Sequence, residues 1–277
     1  MITNTISETT CNICNGQGSI IFKAEILQQY NAAYFKCNNC GFIQTEKPYW
    51  LSEAYASAIT ELDVGLLHRN ILYSTQLENL FIKNLFDPDG KFIDYGGGYG
   101  VFVRLMRDKG FDFYRHDIYC DNIFARHFDI TDIEATVRFE LLTSFEVFEH
   151  LENPLEGLEK MLTFSDNILF STMLVPETNP TPATWWYFAP ETGQHISFYT
   201  LKSLQTLAKT FNLNIYTNGA SLHLFSKKKF ACNPFEKPTP SGRLKRLLSI
   251  IKPSLPIKKR ETLLMEDLEF ISKKIYK

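Results

Sequence analysis

One short stretch constrains this 277-residue chain more than any other: four glycines within five positions, in Asp94-Tyr95-Gly96-Gly97-Gly98-Tyr99-Gly100. The apolar run Lys91 to Tyr95 before it reads as a strand, and Val101 to Lys109 after it as a helix closed by Gly110. Glycines at a helix start weaken it by a total on the order of 1–3 kcal/mol. They also let backbone come close to a ligand and adopt positive φ, beside the unpaired N–H groups of the next helix. A bound ligand accounts for them better than a bare connection does. The spacing of Gly96, Gly98 and Gly100 is G-x-G-x-G. The dinucleotide fingerprint G-x-G-x-x-G would need its third glycine at Val101, so it is broken here. Asp94 would repel a pyrophosphate and attract a cationic ligand.

Around this turn, short apolar strands alternate with helical stretches. Phe111–His116, Phe139–Thr143 and Asn167–Thr172 read as strands, and residues from about Pro154 to Leu162 as a helix. Leu201–Thr210 is a helix capped by Thr200. Asn212–Thr217 and Ser221–Ser226 form a hairpin around Asn218-Gly219-Ala220. The expected fold class is α/β: a Rossmann-like, mostly parallel sheet with an antiparallel last strand. Four regions follow: 1–47, rich in cysteine; 48–90, a helical connector opened by Pro48; 91–230, the α/β domain; and 231–277, a basic, partly helical tail. Hydrophobic residues make up 44% and charged residues 22%, an ordinary globular composition. The formal net charge of −2 gives no global pull toward nucleic acid or anionic lipid. Met1 to Thr10 is polar, without the apolar run of a secretory signal. No stretch approaches the roughly 18 apolar residues of a membrane span. The cytoplasm is the expected location.

The pattern D-x-G-x-G-x-G after a first strand resembles motif I of the class I S-adenosylmethionine-dependent methyltransferases. The resemblance implies that Asp94, Gly96, Gly98 and Gly100 hold the methionine end of the cofactor. It also implies that Asp117, at the end of the second strand, receives the ribose hydroxyls, as one carboxylate can. Asp129 is the candidate for the adenine amino group, with a plain loop acid or helix cap as the other reading. Ser144-Phe145-Glu146-Val147-Phe148-Glu149-His150-Leu151-Glu152-Asn153-Pro154 resembles the stretch after the fourth strand in many members of the family. Ligands in open α/β sheets bind at the carboxyl ends of strands. That puts Phe145 beside the cofactor and makes Glu146 and His150 candidate catalytic residues; the other reading is a solvated helix face. Residues 185–199 carry Trp185, Trp186, Tyr187 and Phe188 with Pro190 and Gly193, which suits a lid or pocket wall. His195 lies within it as a candidate general base, or as a histidine that only orders the loop.

Cys11-x-x-Cys14 and Cys37-x-x-Cys40 are two knuckles separated by 22 residues. Four thiolates so arranged match a closed, structural Zn²⁺ site in a small zinc-ribbon-like module. Cys120 and Cys232 stand apart from it. A zinc module ahead of a methyltransferase domain is similar to the sugar methyltransferases of deoxysugar and polysaccharide pathways. The implied acceptor is a sugar or glycan precursor methylated on oxygen or carbon, with the module helping to cover it. Tyr49, Trp50 and Tyr55 either reach over the pocket or only pack.

From Lys227 to Arg260 the chain has eleven Lys or Arg and one acid, Glu236, with an apolar patch of Leu247, Leu248, Ile250 and Ile251. Such a tail can be a solvated linker, bind a partner, or touch an anionic membrane surface. Two other functions compete with this one. A nucleic-acid methyltransferase or binding module would need a basic face, yet residues 1–47 hold only Lys23, Lys36 and Lys47 as cations. A non-catalytic scaffold would not need Asp94, the glycines and Asp117 intact.

Overall fold

A computed structural model describes residues 8–57, 59–82, 84–236 and 260–276. Two sheets organise them. The larger has six strands: β5 (Lys91–Tyr95), β6 (Asp112–His116), β7 (Leu141–Ser144), β8 (Asn167–Ser171), β10 (Asn214–Thr217) and β11 (Leu222–Ser226). Their order is β10-β11-β8-β7-β5-β6. The four strands β6, β5, β7 and β8 run parallel, and β11 lies antiparallel between β8 and β10. The expected mixed, mostly parallel sheet is therefore present.

Side chains alternate across this sheet into two cores. Ile93, Leu142, Ile168 and Phe170 point to one, with Leu158 and Met161 of α4 (Pro154–Phe164) and Leu204 and Leu207 of α5 (Leu201–Thr210). Phe92, Leu141, Leu169 and Leu224 point to the other, with Leu77 and Leu80 of α2 (Leu66–Ile82) and Val103 and Met106 of α3 (Val101–Asp108). Both faces are covered, which is why these strands read as continuous apolar runs. Asn153 caps α4 and Thr200 caps α5 through their side chains. Between β6 and β7 the chain makes only an isolated bridge, Arg115 to Asp129, and a 3₁₀ turn over Ile130–Asp132.

The smaller sheet is antiparallel. It contains β1 (Glu8–Thr10), β2 (Gln17–Ile26), β3 (Tyr30–Cys37) and β4 (Ile43–Thr45). Its fifth strand, β9 (Ser197–Phe198), comes from far along the chain and pairs with β4. Leu27 and Gln28 turn the β2–β3 hairpin at positive φ. The cysteine-rich segment is thus sewn into the α/β body. Thr200 Oγ1 donates to Cys40 O at 2.7 Å, and Trp50 Nε1 to Gly193 O at 2.8 Å. The short helix α1 (Leu51–Ala54) follows.

The tail ends in a helix, as expected, and this helix is docked. Helix α6 (Leu264–Ile275) docks beside α3. Arg107 grips Asp267 with Nη2 at 2.6 Å and Nε at 2.9 Å, and Arg104 Nη1 adds a third contact at 2.8 Å. Leu247, Leu248, Ile250 and Ile251 lie outside the described residues. No helix among the described residues is long and apolar enough to cross a membrane.

Candidate active site

The carboxyl ends of β5, β6 and β7 open into a cavity of about 760 Å³, within the usual range for small-molecule sites. Its floor is the glycine-rich turn. Gly96 N and Gly97 N donate to His116 O at 2.8 and 3.2 Å, tying the turn to the end of β6. Gly96 lies at φ +73°, and a Cβ there would strike Val147 at 2.5 Å. Gly98, at φ +51°, faces open space toward Ile59, 3.5 Å from where its Cβ would stand. Both positions need glycine for conformation, and Gly98 leaves bare backbone toward the cavity.

Two carboxylates flank this turn. Asp94 is buried, accepts from Thr143 Oγ1 at 2.6 Å, and lines the cavity. Burial pushes its carboxyl up to about 7, against the stabilising hydrogen bond from Thr143. Asp117 Oδ2 accepts from Gly98 N at 2.9 Å, while its Oδ1 accepts from Tyr119 N and Cys120 N, each at 2.8 Å. These bonds aim it along the cavity wall and leave lone pairs for vicinal hydroxyls. Gly100 is not a lining residue. At φ +85° it starts α3, and a Cβ there would meet Asn122 at 2.7 Å. Of the two readings of Asp129, the adenine contact finds no support, for Asp129 does not line the cavity. Arg115 Nε holds its carboxylate at 2.6 Å and Asn122 Nδ2 at 3.0 Å, and it caps the 3₁₀ turn after it. The helix-cap alternative describes it.

The opposite wall carries the candidate catalytic groups. Phe145 stacks on Tyr73 with ring centroids 4.3 Å apart. Glu146 sits at φ +55°, and Tyr73 OH donates to it at 3.0 Å. Ser171 Oγ also donates to its carboxylate, and Arg69 Nε approaches at 3.8 Å. His150 Nδ1 lies 3.0 Å from Gln194 O and His195 Nδ1 lies 2.7 Å from Tyr187 O. A carbonyl can only accept, so each Nδ1 carries the hydrogen and each Nε2 keeps its lone pair. Burial lowers both imidazole pKa values, that of His150 to about 3. The rings lie 5.0 Å apart. Trp186 and Tyr187 also line the cavity, as a wall from residues 185–199 should. Tyr55 reaches the cavity and stacks on Tyr119 at 5.0 Å, whereas Trp50 is buried and Tyr49 packs outside.

Several contributors were not legible in the sequence. Tyr73 and Arg69 lie on α2, far from any motif, and reach Glu146 only through the fold. Glu149, given no role from the sequence, has a fully buried side chain. The acid beside a histidine in that stretch was the only available signal.

The four cysteines of the knuckles converge, with Cys11 Sγ to Cys40 Sγ at 3.6 Å and Cys14 Sγ to Cys37 Sγ at 3.4 Å. All are free thiols whose ligand atoms lie within 4.8 Å of one another. Tetrahedral bonds of about 2.3 Å place sulfurs roughly 3.8 Å apart, so the set fits Zn²⁺. Ile13 N donates to Cys11 Sγ, and Asn39 N and Cys40 N to Cys37 Sγ, all at 3.4 Å, orienting the thiolates.

No curated protein matches the chain. Among solved structures, it is similar to an O-methyltransferase family protein from Burkholderia thailandensis. The identity is 12% and the TM-score 0.46, over 59% of this chain and 57% of that one. It is also similar to the plantazolicin methyltransferase BpumL in complex with a monoazolic desmethylPZN analog and SAH. There the identity is 13% and the TM-score 0.42, over 65% and 93% of the two chains. The family model described as a methyltransferase domain matches residues 68–218. That span is more than half of the sequence and includes the glycine-rich turn, both flanking carboxylates and the histidine wall: the chain belongs to this methyltransferase family.

Proposed function

We propose that this protein transfers the methyl group of S-adenosylmethionine to a hydroxyl or carbon of a small molecule, a sugar or glycan precursor. The observation that carries the reading is the pairing of Asp94 and Asp117 around an open glycine turn, in a cavity with a polar wall opposite. S-adenosylmethionine supplies a methyl group made electrophilic by its sulfonium. Asp94 and the bare backbone at Gly98 would hold the cationic methionine end, and Asp117 the ribose hydroxyls. Phe145 gives that half of the cavity an apolar face. Glu146, His150 and His195 line the acceptor half, where they orient the acceptor and one of them removes its proton. Trp186 and Tyr187 supply ring faces against which a sugar packs. The thiolate knuckles hold a structural Zn²⁺ and keep the small sheet in place. Free thiols reserved for a metal suit a reducing compartment, the cytoplasm.

Calorimetry with S-adenosylmethionine tests the first half of this reading. Incubation with labelled cofactor and a panel of nucleotide sugars, read by mass spectrometry, tests the second. Methylation of RNA but of no sugar would refute the acceptor assignment.

A further inference from the structure

Glu149, His150 and His195 together have properties that proton transfer alone does not explain. Glu149 lies in the 3₁₀ turn Phe148–His150 with 0% exposure; the Tyr187 and Thr172 hydroxyls approach it, but neither carboxylate oxygen has a partner of ordinary hydrogen-bond geometry. A buried acid left so is costly unless it is neutralised or paired. Among the described residues, Arg69 is the cationic side chain that lines the cavity, and it contacts Glu146. Two imidazoles stand beside Glu149, each with Nδ1 committed to a backbone carbonyl. That commitment fixes tautomer and ring angle and leaves Nε2 free, the second-sphere arrangement of metal-bound histidine. The two rings meet at 89°, and one ligand atom from each of the three residues lies within 4.8 Å of the others.

We propose that Glu149, buried behind the cavity wall, forms a divalent transition-metal site with His150 and His195, which line the acceptor half of the cavity. Two imidazoles and one carboxylate favour Mn²⁺, Fe²⁺, Co²⁺ or Zn²⁺ over Mg²⁺ or Ca²⁺. Three protein ligands leave positions open, and both histidines line the cavity, so those positions face the acceptor. The role of the site rests on the methyl-transfer reading. An acceptor hydroxyl bound to the ion becomes more acidic. Its proton passes to the Glu146 carboxylate and its oxygen forms the bond to the methyl carbon. The carbon–sulfur bond breaks with its electron pair kept by sulfur. His195 is then a ligand, and Glu146 the proton acceptor.

Mn²⁺ is the probe, because the thiolate knuckles disfavour it. Electron paramagnetic resonance of free Mn²⁺, titrated against the full chain, is expected to report one ion bound per chain. Glu149→Gln and His195→Ala should each weaken uptake at least tenfold. Calorimetry with S-adenosylmethionine on the same preparations serves as the control for fold and cofactor pocket. Cofactor binding without Mn²⁺ uptake at millimolar concentration would overturn the metal site and leave methyl transfer standing. So would either variant that retains cofactor binding and takes up Mn²⁺ as tightly as the wild type. Mn²⁺ uptake without cofactor binding would support the site and refute the methyltransferase reading.

Discussion

Asp94 carries a charge that depends on pH near neutrality. Burial raises its carboxyl from 3.8 to about 7, so in the free protein it holds a proton that the unfolded chain would already have lost. Between these values the folded state binds more protons, and the Asp94 contribution to stability falls as pH rises. A cationic cofactor prefers the ionised form. Its affinity should therefore increase from about pH 6 to pH 8, by roughly tenfold, since about a tenth of Asp94 is ionised one unit below its pKa. Calorimetry across that range checks this, and Asp94→Asn should give weak binding that no longer follows pH. His195→Ala should lower turnover about 100-fold or more and leave cofactor affinity within a factor of about two, read by single-turnover kinetics beside calorimetry. Equal loss of both would mean that His195 only shapes the pocket. Asp94, the glycines and Asp117 were legible because their chemistry lies within one strand end and one turn. Glu149 was not, because nothing local distinguishes a buried acid from a solvated one. The two readings of Asp129 could not be separated, because its partner, Arg115, emerges only once β6 is in place.

Among the elements, β5, α5 and the final hairpin could be placed from pattern alone, since each carries its own punctuation: a glycine turn, a threonine cap, an Asn-Gly turn. Two elements could not. Strand β9 has two residues, and its partner lies about 150 positions away. Helix α6 was expected, but its docking was not, because its contacts, Asp267 with Arg107, Phe270 with Phe128 and Lys274 with Asp132, join residues far apart in the sequence. Arg107 and Asp267 expose only 6% and 5% of their side chains. Removing one partner of such a pair strands the other. Asp267→Ala should destabilise the protein by about 3 kcal/mol and lower Tm by roughly 6–12 °C, measured by calorimetric melting. An unchanged Tm would mean that the Arg107–Asp267 pair contributes nothing to the fold. Arg107 keeps Asp112 at 2.6 Å, so the loss stays below that of a fully isolated charge.

For the whole molecule, the cysteine cluster and the cavity wall are mechanically continuous. Cys40 is bonded to Thr200, β4 pairs with β9, and His195 lies two residues before β9. Cys40→Ser should abolish stoichiometric zinc, read by elemental analysis, and lower Tm. It should also raise the acceptor KM more than the cofactor Kd, because the glycine turn is anchored separately on β5 and β6. Equal effects on both would place the coupling elsewhere. The measurement that bears most directly on the central claim is calorimetric titration of the wild type and of Asp117→Ala with S-adenosylmethionine. The account predicts saturable binding to the wild type, weakened at least tenfold when the carboxylate is removed. No heat from the wild type, or equal affinity in both proteins, would contradict it.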